Sequence, residues 1–163
     1  MEKISKEEKK SVREKLLSLE KEGKFVFHGS AAKLDYLEPQ QAFNFDIQAK
    51  KNEKHGEPCV AATPFADIAI FLAIINKKNF PDEFTSRFSF DDGIVKFFAT
   101  KEILDNLNDK KGKVYILDKH LFEKFSGMEF RSDKKVKPIQ IVTVGAEDLP
   151  QNIVIIDNEF NEI

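Results

Sequence analysis

Tryptophan is absent, cysteine occurs once, at Cys59, and arginine occurs only at positions 13, 87 and 131. A lone cysteine excludes an internal disulfide framework and a cysteine-based zinc site, and it fits a reducing compartment, where it reads as an inert small hydrophobe. An excess of either charge is also missing. Twenty-six Lys plus Arg stand against twenty-eight Asp plus Glu, a formal net charge of −2, so no global field draws the chain onto nucleic acid or an anionic membrane. The longest apolar run, Ile68 to Ile75, is far shorter than the roughly 20 residues a membrane-crossing helix needs. Met1-Glu2-Lys3-Ile4 lacks the apolar centre of a signal peptide. The expectation is a cytoplasmic protein with neither membrane nor nucleic acid as partner. His28, His55 and His120 share no helical or hairpin spacing that would gather them, so no metal is expected.

What the chain does have is phenylalanine, sixteen in 163 residues, with 41% hydrophobic and 33% charged residues overall. That composition predicts a soluble domain with a phenylalanine-rich core. A single domain over 1–163 is expected, with an N-terminal amphipathic helix over 1–23 and a core over 24–157. Ser5-Lys6-Glu7-Glu8 reads as a capping box. Val12, Leu16 and Leu19 repeat at helical spacing, and Gly23 suits a left-handed C-cap. Phe25-Val26-Phe27 predicts a strand ending at His28-Gly29-Ser30. Residues 40–58 are polar and lysine-rich without a sustained period, so a long mobile loop is expected.

Cys59 to Ala62 predicts a second core strand. Thr63 and Pro64 predict the start of a helix running to about Ile75, apolar nearly all round and therefore buried on more than one side. Strands are expected at Ile94–Ala99, Val114–Leu117, Ile139–Val144 and Ile153–Asp157, with weaker segments near Phe84 and over Arg87–Phe90, and a small helix over Lys101–Asn108. Helices early and strands late predict an α+β chain with a partly antiparallel sheet.

Three segments carry chemistry together: His28-Gly29-Ser30 at a strand end, "CVAATPFADIAIFLA" as strand and buried helix, and "GMEFRSDKKVKPIQIVTV" with Glu129 ahead of a late strand. In that order they resemble the ADP-ribosyltransferase superfamily of the His-Tyr-Glu type. The resemblance implies an ADP-ribosyltransferase-like split, mostly antiparallel sheet, with a buried helix after the second core strand. It also implies NAD as substrate: His28 would bond the adenosine ribose, the backbone of Gly29, followed by Ser30, would hold the nicotinamide carboxamide, and Phe71 would stack on the nicotinamide ring. Glu129, with Glu123 as the alternative, would orient the nicotinamide ribose and stabilise positive charge as the glycosidic bond breaks. Val60 stands where the family has tyrosine, Asp67 where lysine is common, and Ile68 where a serine hydroxyl contacts the carboxamide.

The implied function is NAD binding with transfer of ADP-ribose to an acceptor, a protein among the candidates; the alternative is a catalytically inactive nucleotide- or protein-binding module on the same fold. The related RNA 2'-phosphotransferases are disfavoured, because no arginine lies near His28 in sequence. Plainer readings stand beside these. His28-Gly29-Ser30 can be an ordinary strand-to-turn junction, Phe71 can be core, and Glu129, in a period-two strand, points away from Met128 and Phe130.

Overall fold

The computed structural model describes residues 11–46, 51–82 and 85–163. The chain is α+β with mostly antiparallel pairing: β10 against β5 is the parallel exception among the described strands. Helix α1 (Val12–Glu22) begins under Ser11, whose Oγ accepts the Glu14 N–H at 3.1 Å, and it ends at Gly23 with φ of 70°. The residue that can adopt a left-handed φ without a Cβ clash thus closes the helix. The Ser5–Glu8 box and Phe84 lie outside the described residues.

Strand β1 (Phe25–Ser30) pairs with β6 (Lys111–Asp118), which pairs with β9 (Gln140–Gly145). Alternation divides β1 between two hydrophobic clusters. Phe27 packs with Val114 and Ile116 on the face that carries helix α2 (Ala66–Ile74), and Val26 packs with Tyr115 and Leu117 on the other. The second sheet runs in the order β10 (Ile153–Ile156), β5 (Ile94–Thr100), β4 (Ser86–Asp91). Helix α3 (Lys101–Asp105) follows β5 and stops short of the expected Asn108.

The third sheet corrects the sequence reading. The described residues of 40–58 are not a long loop: β2 (Gln40–Asp46) and β3 (Lys51–Ala62) pair antiparallel, and the sheet continues through β8 (Phe130–Ser132) and β7 (Glu123–Lys124). The run Lys51–Glu57 has no apolar alternation to announce a strand, because the pairing is made by backbone groups, which every residue except proline supplies in full.

Helix α2 also starts differently from expectation. Thr63 does not cap it; Thr63 Oγ1 accepts the Phe65 N–H at 3.2 Å, and the helix begins at Ala66. The first-turn N–H of Ala66, which has no acceptor within the helix, is met from outside by Glu20 Oε1 of α1 at 2.7 Å. Burial is the main cause that raises the Glu20 carboxyl above its usual 4.5, and the bond from Ala66 partly offsets it. Beside this contact Arg13 forks onto both oxygens of Asp67, at 2.7 and 2.8 Å. Asp67, at the position where the resembled family favours lysine, therefore ties α1 to α2. No described helix is long and apolar enough to cross a membrane.

Candidate functional site

Helix α2 approaches β1 and β6 so closely that side chains are excluded. A Cβ on Gly29 would lie 1.9 Å from the Ala69 carbonyl oxygen, and one on Gly112 would lie 1.9 Å from that of Ala73. The bare side of Gly29 is thus taken by the helix backbone. Its polar backbone has a different outlook. Phe27 exchanges two hydrogen bonds with Thr63, at 2.7 and 2.8 Å, so its N–H and C=O point away from β6. Two residues on, the amide and carbonyl of Gly29 point the same way. The Phe27–Thr63 bridge is antiparallel, so Ala61 of β3 comes opposite Gly29, yet among the described residues no backbone group pairs with the Gly29 amide and carbonyl on that side.

A cavity of about 210 Å³ opens at this place. Its walls are mostly apolar: Phe27, Ile68 and Leu72 of α2, Phe88 of β4, and Met128. Ile68 and Leu72 lie one helical turn apart on one face. Leu72 is 38% exposed in a helix whose other apolar side chains are buried, and its place in the cavity wall accounts for that exception. The polar members are few: His28, the Gly29 backbone, Thr63, Ser126 and Glu129.

His28 is half-buried. Its Nδ1 donates to the Ala61 carbonyl at 2.7 Å, since a carbonyl can only accept. In the neutral ring this leaves Nε2 as an acceptor for a hydroxyl donor. Burial holds the imidazole below its ordinary 6.5, partly countered by the Ala61 bond, so the ring is neutral at pH 7. Tyr115, opposite His28 in the β1–β6 register, packs edge-on to it at 6.0 Å. Its hydroxyl donates to Ala32 O at 2.5 Å and accepts from Leu34 N at 2.7 Å, which fixes the segment leaving β1. Nothing in "VYIL" distinguishes this tyrosine from ordinary core.

Glu129 precedes β8 and reaches the same cavity as His28 and Gly29. Its Oε2 accepts from Arg131 Nε at 2.5 Å. Two predicted residues are elsewhere. Phe71, 1% exposed, is core: its ring packs on Phe97 at 4.9 Å and edge-on to Phe88 at 6.5 Å, outside the cavity lining. The aromatic side chains at the cavity are Phe27 and Phe88, and the weak strand pattern of Arg87–Phe90 was the available signal for the latter. Ser30 Oγ accepts the Ala32 N–H at 3.1 Å and closes a turn. Val60, 3% exposed, packs in the cluster with Tyr115. Glu123 is exposed on β7, opposite Arg131. It lines a separate cavity of about 620 Å³ together with Cys59 and His120. Among the described residues, no three His, Cys, Asp or Glu side chains converge as a metal site.

Compared with known proteins, the chain matches no protein-family model, no curated protein and no solved structure.

Proposed function

We propose that the cavity takes the nicotinamide end of NAD and that the protein transfers ADP-ribose to an acceptor. The observation that supports this is the meeting of His28, the Gly29 backbone and Glu129 around one cavity, from positions far apart in sequence. Each matches a need of the ligand. An unpaired amide and carbonyl on one glycine read both ends of a planar carboxamide. A neutral Nε2 accepts a ribose hydroxyl. The cavity volume, about 210 Å³, falls below the roughly 300–1,000 Å³ that bury a drug-sized molecule. It therefore suits one ring and its substituent, with the remainder of the dinucleotide lying outside.

In the reaction, the bond from the ribose anomeric carbon to the nicotinamide nitrogen breaks, and nicotinamide leaves with the bonding pair. The acceptor nucleophile bonds to that carbon and loses its proton. The carboxylate of Glu129 stabilises the positive charge that develops on the ribose between these events. Nicotinamide release from NAD should be measurable with the wild-type protein, and Glu129→Gln should lower it about 100-fold or more, the scale of one preorganised electrostatic partner. Equal release by both proteins removes Glu129 from the reaction.

A binding module without turnover is the second reading. It is supported by Ile68, which offers the cavity a hydrocarbon where the resembled family has a hydroxyl, and by the mostly apolar walls. NAD would then raise the melting temperature without releasing nicotinamide.

A further inference from the structure

The Glu129 carboxylate has a partner outside the cavity. Arg131, two residues along and on the same side of the chain, donates from Nε to Glu129 Oε2 at 2.5 Å. The guanidinium itself is held from behind: it lies over the Phe125 ring, 3.4 Å from the ring centre. A tight turn brings that ring into place, because the amides of Phe125 and Ser126 both donate to the Glu129 carbonyl, at 2.9 and 3.0 Å. The pair is sheltered, with the Arg131 side chain 18% exposed and that of Glu129 33% exposed. Phe125 is 56% exposed, so packing in the core does not explain its position.

The geometry points to Arg131 as the positioning residue for Glu129, with Phe125 as the platform that holds Arg131. A carboxylate on a flexible side chain loses rotamer freedom when it is aimed at a ligand. Here one oxygen is engaged by a planar, permanently charged donor that stacks on an aromatic face, which a lysine would not reproduce. Among the described residues Oε1 has no hydrogen-bond partner. It is the oxygen left for a ligand hydroxyl. Arg131 touches no cavity surface beside His28; it lines the separate, larger cavity on the Glu123 side. Its influence on the NAD site therefore passes through Glu129.

The kinetic side of this assignment rests on the NAD reading, whereas the pairing itself is testable without NAD. The Nε–H resonance of Arg131, followed by nitrogen-proton NMR, should exchange slowly with water in the wild-type protein. It should exchange faster in Glu129→Gln and in Phe125→Leu. In kinetics, Arg131→Gln should lower kcat for nicotinamide release by up to about 100-fold, the penalty for a misplaced reacting group, with a smaller change in KM. Arg131→Lys should recover only part of it. Phe125→Leu changes an exposed ring and should act in the same direction more weakly, so it decides the matter if Arg131→Gln does not fold.

An Arg131 Nε–H that exchanges as fast as free arginine in the wild type overturns the assignment. So does an unchanged kcat in a folded Arg131→Gln or, failing that, in Phe125→Leu. Wild-type protein that releases no nicotinamide removes the transfer reading instead, and the exchange measurement still decides the positioning.

Discussion

At the scale of single residues, the site depends on which proton sits where. The bond to Ala61 O assigns the His28 proton to Nδ1 and leaves Nε2 to accept, and burial keeps the second proton off. The stability consequence has a definite sign. The unfolded chain takes up a proton near 6.5, while the folded chain resists it, so acid favours the unfolded state and stability falls as pH drops from 6.5 toward the lower folded value. Glu20 works the other way, because its raised carboxyl is relieved by protonation as pH falls toward 4.5.

His28→Asn keeps a donor for Ala61 O and leaves Glu20 unchanged, so the difference between the two proteins isolates His28. Urea unfolding at pH 7.5 and pH 5 should show a smaller acid loss in the variant. An equal loss would mean that His28 is not held neutral by the fold. The sequence reading singled out His28 and Gly29 from the end of a strand and Glu129 from its place in the strand order of the resembled family, and the three line one cavity. It misplaced Phe71, since an aromatic residue on an all-apolar helix carries no mark of which side meets a cavity and which meets Phe97.

At the scale of elements, the helix–sheet contact sets the position of the cavity wall. Ala69 and Ala73 on α2 meet Gly29 and Gly112 on β1 and β6, backbone against backbone, which holds Ile68 and Leu72 at the cavity. Gly112→Ala would push a Cβ onto the Ala73 carbonyl. Because that neighbour is helix backbone and cannot rotate aside, the substitution should destabilise by about 1–3 kcal/mol, toward the upper end, by denaturant unfolding. A neutral result would show that the helix rides higher on the sheet.

This contact was not readable in advance, because Gly112 in "KKGKVYIL" looks like a turn glycine before a strand. The cap of α2 was equally hidden: Glu20 reaches Ala66 from 46 positions away in the chain, and only the tertiary fold brings them together. The β2–β3 pairing was missed for the reverse reason, since its ladder uses the backbone and leaves little trace in side-chain pattern.

At the scale of the whole molecule, the cavity belongs to no single sheet. β1 supplies His28 and Gly29, the end of β3 supplies Ala61 and Ala62, α2 supplies Ile68 and Leu72, β4 supplies Phe88, and the approach to β8 supplies Met128 and Glu129. The joint is the pair of bonds between Phe27 and Thr63, beyond which, among the described residues, β1 and β3 no longer exchange backbone bonds. The α+β class and most strand positions were legible from apolar runs and turn residues. The convergence itself was expected only through resemblance, because periodicity says which face of an element is buried and not which elements share a cavity.

The central claim is that the Gly29 backbone and Glu129 grip one end of NAD. Titrating nitrogen-15-labelled protein with NAD and following the backbone amides tests it most directly. The account predicts that the Gly29 amide moves most, accompanied by Thr63, Leu72, Ser126 and Glu129, while β10 stays still. A Gly29 amide that does not move, or movement confined to the Cys59 and His120 side of the molecule, would contradict it.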